Sequence, residues 1–456
     1  MAPRPGRLHG LRAVPGRAVV RRRFSRLIPR GWGAFIGEGH DNDTVTFSKA
    51  IPVCALLALA AALSSCARAS DGLAQPTHPS ARTGHPGTSP GDGSPAQVTN
   101  PPQAGRSRSC PARVFAGMSQ SQRVGQLFIV GLTGDGLDPG TARAIRAHHF
   151  GSVMFTATST AGVSGIRSAT AAVQSLADTP ATAGARFFVA ANQEGGEIQA
   201  LQGAGFQRIP PAVAQGLLPP AVLQRAAMTW GSELRAAGVN LDLAPVMDVV
   251  PRATAAQNQP IGVLQRELGH DPATVAEHGV AFIRGMSQAG VATTAKHFPG
   301  LGRVRGNTDF TAAVADTVTT PDDPYLGPFQ QAIDVGVPFV MVALATYARI
   351  DAHHLAVFSP IIMRTMLRAR MHFRGVIVSD DLAAAAAVAS IPPATRAIDF
   401  LAAGGDMITS RLVVAAEAMD EAVLARAGDS ASFRSEVNSA VMRVLAAKQA
   451  FGLLPC

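Results

Sequence analysis

The 456-residue chain carries no glycine-rich phosphate loop, no dinucleotide fingerprint and no His/Cys/Asp/Glu cluster at metal-ligand spacing, so no cofactor is expected. Its apolar run at residues 51–63 is short for a membrane span. Charge is sparse and unevenly placed. Ten Lys/Arg against three acids in residues 1–65 account for +7 of the formal +9, leaving +2 for everything else. The folded part is therefore nearly neutral, and the high pI gives no reason to expect a nucleic-acid partner. No internal repeat period is present. Cysteines number four, too few for a disulfide-built scaffold.

What is present divides the chain into three. Lys49 precedes the apolar run, and Leu63-Ser64-Ser65-Cys66 follows it, resembling the lipobox of bacterial lipoproteins. That resemblance implies a lipidated Cys66 as the first residue of the mature chain, with residues 1–66 as extension and signal; an ordinary cleaved signal is the alternative. The Arg-rich residues 1–44 sit oddly upstream, and translation from Val45 would give a normal signal start. Residues 67–109 are rich in Pro, Gly, Ser, Thr and Ala and read as a disordered tether. Residues 110–456 read as one domain, outside the cytoplasm and anchored to the membrane. With Cys54 in the signal and Cys66 lipidated, Cys110 and Cys456 remain at the two ends of that domain. A barrel brings its ends together, so they either pair as a disulfide or stay free thiols.

From Cys110 onward, β-rich apolar runs at 126–132, 152–155, 187–191, 239–246, 291–295, 338–343, 376–379 and 406–409 alternate with Ala-rich helical stretches. Asp271-Pro272 opens one helix as a cap followed by a first-turn proline. Eight strands alternating with helices predict a (β/α)8 TIM-like barrel of the α/β class. Such barrels place their chemistry at the C-terminal ends of strands, and polar groups follow four of these runs directly. They are Asn192-Gln193-Glu194, Asp248, Lys296-His297, and Ser379-Asp380-Asp381.

The stretch AKHFPGLGRVRGNTD, residues 295–309, combines a strand end, a Lys-His pair, a Pro-Gly turn and a polar loop that reads as mobile. It closely resembles the signature of family 3 glycoside hydrolases of the bacterial β-N-acetylglucosaminidase type. NQEGGEIQ, GVNLDLAPVMDV, PIGVLQRELG and GVIVSDDL resemble further segments of that family. The resemblance implies that Lys296, His297, Arg266, Asn192 and Asp248 hold the sugar and that Asp380 is the nucleophile. Asp381 is the alternative, although strand alternation lets only one of the two face the pocket.

Three departures accompany the resemblance. Asn192 replaces the family's aspartate in that motif, and Glu197 and Ala200 replace its arginines. The family's Asp-x-His dyad, whose histidine is the general acid/base, aligns with Asn307 and Asp309. The residue usually methionine after the nucleophile is Ala384 or a neighbour. Retaining glycosidases run on two carboxyls, so Asp309 is expected to serve as acid/base if burial tunes it. The expected activity is retaining hydrolysis of terminal β-linked N-acetylglucosamine from cell-wall glycans. The alternatives are a weakened sugar-binding lipoprotein or a β-glucosidase. If Cys66 is the anchor, Cys66→Ala releases the protein from membranes on fractionation; persistence in the membrane fraction rejects the lipobox reading.

Overall fold

A computed structural model describes residues 109–456, so the signal, the lipidation site and nearly all of the tether lie outside the described residues. Eight parallel strands close into a barrel: β1 (Phe128–Leu132), β2 (Ser152–Phe155), β3 (Phe188–Ala191), β4 (Leu241–Asp242), β5 (Ala292–Phe298), β6 (Phe339–Val342), β7 (Val376–Asp381) and β8 (Met407–Ser410). Each strand pairs with its sequence neighbours, and β8 closes onto β1 through Phe128↔Ile408 and Ile129↔Thr409. The eight-run alternation is thus the observed architecture.

Seven of the eight strands are followed by α-helices, among them Pro220–Ala236, Pro272–Gln288 and Val413–Asp429, and β6 is followed by a π-helical segment, Ile361–Arg370. The Asp271 carboxylate caps its helix by accepting the Thr274 amide at 2.9 Å, with Pro272 in the first turn. Several strand limits differ from expectation, β4 by the most. Proline donates no amide hydrogen bond, and β4 stops short of Pro245, leaving only a bridge between Val246 and Lys296. β5 instead runs on to Phe298, so Lys296 and His297 lie on the strand rather than after it.

The core is continuous from Cys110 to Leu453. At the N-terminal end of the barrel Phe188 meets Phe339 edge-on at 5.3 Å and Phe451 at 6.2 Å, closing the floor with aromatic rings. The buried Lys448 ammonium lies there, bound by Gln126 Oε1 (2.6 Å) and the Gly151 carbonyl (2.8 Å). Burial without a carboxylate partner pulls its pKa down to about 7.

Cys110 and Cys456 form a disulfide, with Cα atoms 5.9 Å apart and 346 positions apart in sequence. All eight strands, their helices and this bridge lie within residues 110–456. Cross-linking so long a loop stabilises mainly by restricting the unfolded chain. Cys456→Ser is expected to cost about 2–5 kcal/mol in urea denaturation; an unchanged midpoint would show that the bridge contributes nothing.

Candidate active site

The C-terminal end of the barrel carries a buried charge cluster. β3 runs into a tight hairpin, Gln193–Gly195 with Ile198–Gln199, that turns Glu194 inward. Gly195 has φ +102°, and a Cβ there would lie 2.4 Å from the Pro210 carbonyl, so the turn accepts only glycine. Glu194 receives two hydrogen bonds from Arg266, Nε at 2.7 Å and Nη2 at 2.8 Å, and an ion pair from Lys296 Nζ at 2.7 Å. Burial pushes the Glu194 carboxyl up, but the charges of Arg266 and Lys296 outweigh it and hold the pKa at about 2. Lys296 Nζ also donates to Asn192 Oδ1 at 2.8 Å. Asn192 is half-buried at the rim.

Arg266 keeps Nη1 on the Pro260 carbonyl and has two N–H groups left over, so it can touch a ligand only while serving Glu194. Asp242, on β4, faces the same cluster. Its Oδ1 accepts the Gln193 amide at 3.0 Å and its Oδ2 has no partner. Burial raises its pKa to about 7, opposed by that amide and by Lys296.

A second unit sits one strand over. Asp248 Oδ2 lies 2.8 Å from His297 Nδ1, while Oδ1 accepts the amides of His297 (3.1 Å) and Leu301 (2.8 Å). Asp248 is fully buried, with both oxygens spent inside the protein. The expectation that it binds sugar is therefore corrected: it orients His297 and starts the loop that follows. With Nδ1 on the carboxylate, His297 can present Nε2 to a ligand.

That loop is not free, contrary to its reading as mobile. Asn258 Nδ2 donates to the carbonyls of Leu301 and Val304, both at 2.7 Å. Gly302 packs against the Val249 carbonyl so closely that a Cβ would stand 1.9 Å from it. Arg303 pairs with Asp323 at 2.5 Å and lies over the Tyr325 ring. Farther on, the Thr308 and Asp309 carbonyls accept the amides of Ala387 and Ala386, each at 3.1 Å. Asn307 Oδ1 accepts the Asp309 amide at 2.9 Å, so Asn307 shapes the turn instead of steering the Asp309 carboxylate. Asp309 itself is exposed, so burial, the condition placed on its acid/base role, is not met.

Asp380 and Asp381 end β7 and diverge as strand alternation requires. Asp381 is buried and accepts the amides of Ala383 (3.0 Å), Ala384 (3.1 Å) and Arg411 (3.1 Å), a loop-holding role. Asp380 is half-buried and faces the cluster side. Burial pushes its pKa up, His297 pulls it down, and Asp309 pushes it up again. Asp309 and Asp380 therefore feel each other's charge across the site.

The family profile for the glycosyl hydrolase family 3 N terminal domain matches residues 121–447. This chain belongs to glycosyl hydrolase family 3. A beta-hexosaminidase from Stenotrophomonas maltophilia (strain K279a) is 34% identical over 275 residues, covering 58% of this chain and 76% of that one. A crystal structure of a beta-N-acetylhexosaminidase from Beutenbergia cavernae superposes with TM-score 0.72 at 46% identity, covering 73% of this chain and 99% of that one. A family 3 beta-N-acetylglucosaminidase from a Paenibacillus species gives TM-score 0.67 at 27% identity, covering 74% and 63%. The chain is a glycosidase.

Sequence reasoning assigned no role to Glu194 or Asp242. Both had a signal: an acid directly beyond or within an apolar strand, where a barrel puts its chemistry. Glu194→Gln leaves Lys296 and Arg266 buried without a counter-charge. It is expected to destabilise by about 3–5 kcal/mol, read as a lower urea midpoint at pH 7. Because the folded pKa lies below the ordinary 4.5, the carboxylate's contribution is full above 4.5 and is lost as pH falls toward about 2. The wild type and variant should therefore converge in acid; parallel stability curves down to that range would remove Glu194 as the anchor.

Proposed function

We propose that the chain is a retaining exo-β-N-acetylhexosaminidase that removes terminal β-linked N-acetylglucosamine from cell-wall glycans, outside the cytoplasm and lipid-anchored through Cys66. The observation that carries the chemistry is Asp380: a carboxylate at a strand end, facing the same barrel mouth as Asn192, Lys296, His297 and Arg266. The N-acetylhexosamine specificity is taken from the names of the relatives; the cell-wall source follows from the expected lipoprotein context.

In this reading Lys296, His297 and the spare donors of Arg266 and Asn192 bind sugar hydroxyls and fix the ring over Asp380. The Asp380 carboxylate attacks the anomeric carbon while Asp309 gives its proton to the departing glycosidic oxygen. A glycosyl ester on Asp380 results. Asp309, now ionised, takes a proton from water, whose oxygen attacks the anomeric carbon and expels Asp380. Two inversions give net retention.

The exposure of Asp309 favours one second reading, a sugar-binding protein with weakened catalysis. Aryl β-N-acetylglucosaminide hydrolysis separates the two, and an aryl β-glucoside run beside it reports the sugar. Asp380→Asn is expected to abolish turnover on both. Asp309→Asn is expected to slow disaccharide cleavage by about 10²–10⁴-fold while an activated aryl substrate still forms the glycosyl-enzyme, with azide restoring turnover. Disaccharide rates near wild type in Asp309→Asn would strip that residue of the acid/base role. Binding of N-acetylglucosamine without hydrolysis by the wild type would establish the binding protein instead.

A further inference from the structure

The barrel's opposite face has a charge pattern that glycoside hydrolysis does not use. Two adjoining clefts of about 590 and 760 Å³ share Arg235, Phe451 and Gly452 in their walls. They lie where β3, β4, β5 and β6 begin, on the floor beneath the active site. Arg167, Arg186, Arg235 and Arg284 line them, and no Asp or Glu does. All four arginines are exposed, and none forms an ion pair among the described residues. Arg167 and Arg235 are partly fixed, Nε of the first donating to the Ala236 carbonyl at 2.7 Å and Nη1 of the second to the Gly290 carbonyl at 3.3 Å. Their remaining N–H groups are unspent.

This is a local feature. Residues 109–456 hold 26 basic and 26 acidic side chains, so overall charge cannot draw the domain to an anion. Arginine without a carboxylate partner on a concave surface is the arrangement that binds phosphate oxygens, through forked and charge-assisted hydrogen bonds.

The position of the chain's entry point says which phosphates. Leu453 lines the first cleft and accepts the Arg186 amide at 2.7 Å. Cys456 lies three residues on, within roughly 10 Å by chain length, and its disulfide partner Cys110 is the point at which the N-terminal segment joins the barrel. The segment from residue 67 to 109, read from its composition as a flexible tether, has a root-mean-square reach of roughly 35–40 Å.

We propose that this arginine-lined floor docks on the anionic phospholipid headgroups of the membrane. The docked barrel turns its active site away from the bilayer, toward the glycan. A lipid anchor leaves the domain free to turn, and a basic face that meets anionic headgroups fixes which side of it lies on the membrane. The proposal leans on the anchoring reading for orientation only, since headgroup binding needs neither Cys66 nor hydrolysis.

The test uses the lipid-free chain of residues 67–456, which contains the whole barrel and its disulfide, in co-sedimentation with vesicles. It is expected to bind vesicles of phosphatidylglycerol and phosphatidylcholine, and not phosphatidylcholine alone. R167Q/R186Q/R235Q is expected to bind about a hundredfold more weakly, from about fivefold per arginine, whereas R305Q/R349Q, on the active-site side, binds as the parent does. If the triple variant melts early, R186Q and R235Q singly carry the test at about fivefold each. Equal binding by parent and arginine variants, no binding to either vesicle, or displacement from vesicles by millimolar inorganic phosphate or by dextran sulfate would overturn the proposal. The last two would point to a small phosphate or a soluble polyanion in the clefts.

Discussion

Glu194 is the constraint on which the sugar side of the molecule depends. Two cations, Arg266 from the loop after β4 and Lys296 from β5, are buried against it, and neither would tolerate burial alone. The carboxylate thus fixes three segments of chain relative to one another before any ligand arrives. It also spends donors. Lys296 divides its ammonium between Glu194 and Asn192, and Arg266 commits three of its five N–H groups. What remains for a sugar is a small set of donors with little freedom to move, which is the condition for orienting a ring at low entropic cost. Asn192 fits this arrangement better than its chemistry alone suggests. As an amide at the rim, Asn192 accepts from Lys296 without bringing a second carboxylate to the cluster.

Asp248 does the same for the other half. It binds the His297 ring and the amides that begin the following loop, so histidine orientation and loop geometry share one buried carboxylate. The loop is then held by Asn258, by the Gly302 contact and by the Arg303–Asp323 pair before it reaches Asp309. An acid/base on a pinned loop has a different task from one on a lid. Its backbone is placed already, and only the side chain must turn to the leaving group. The Asx turn made by Asn307 belongs to this placement.

The barrel was legible because its signal is redundant: eight apolar runs, each followed by a helix, and polar or charged groups at strand ends. The limits of β4 and β5 were not, since proline stops one ladder at a point where hydropathy continues, and Lys296 and His297 extend the other against their polarity. In the site, the residues were legible but their partners were not. Spacing along the chain says that Asp248 and Asp380 both end strands. It does not say that one is sealed by three hydrogen bonds and the other left half-exposed, because that depends on Leu301 and His297 returning to the same carboxylate. Glu194 escaped notice for the complementary reason: its importance lies in two cations 72 and 102 positions away in sequence.

The two ends of the barrel handle positive charge in opposite ways. At the mouth, cations are buried and each meets a carboxylate, so the field is short-ranged and serves geometry. At the floor, four arginines stay in water without acids, where their field extends to about a Debye length, roughly 8–10 Å. Such a field cannot order a sugar, but it can bias how a tethered domain faces a charged plane. Lys448, deeply buried in the floor, is held in another way, by the Gln126 and Gly151 oxygens, with burial pulling its pKa down to about 7. Arginine would hold its charge in that position and cost more to bury. The floor therefore sorts its cations by depth, with a titratable amine in the core and permanent charge at the surface. This is the distribution expected of a face whose outer charge acts on something beyond the fold.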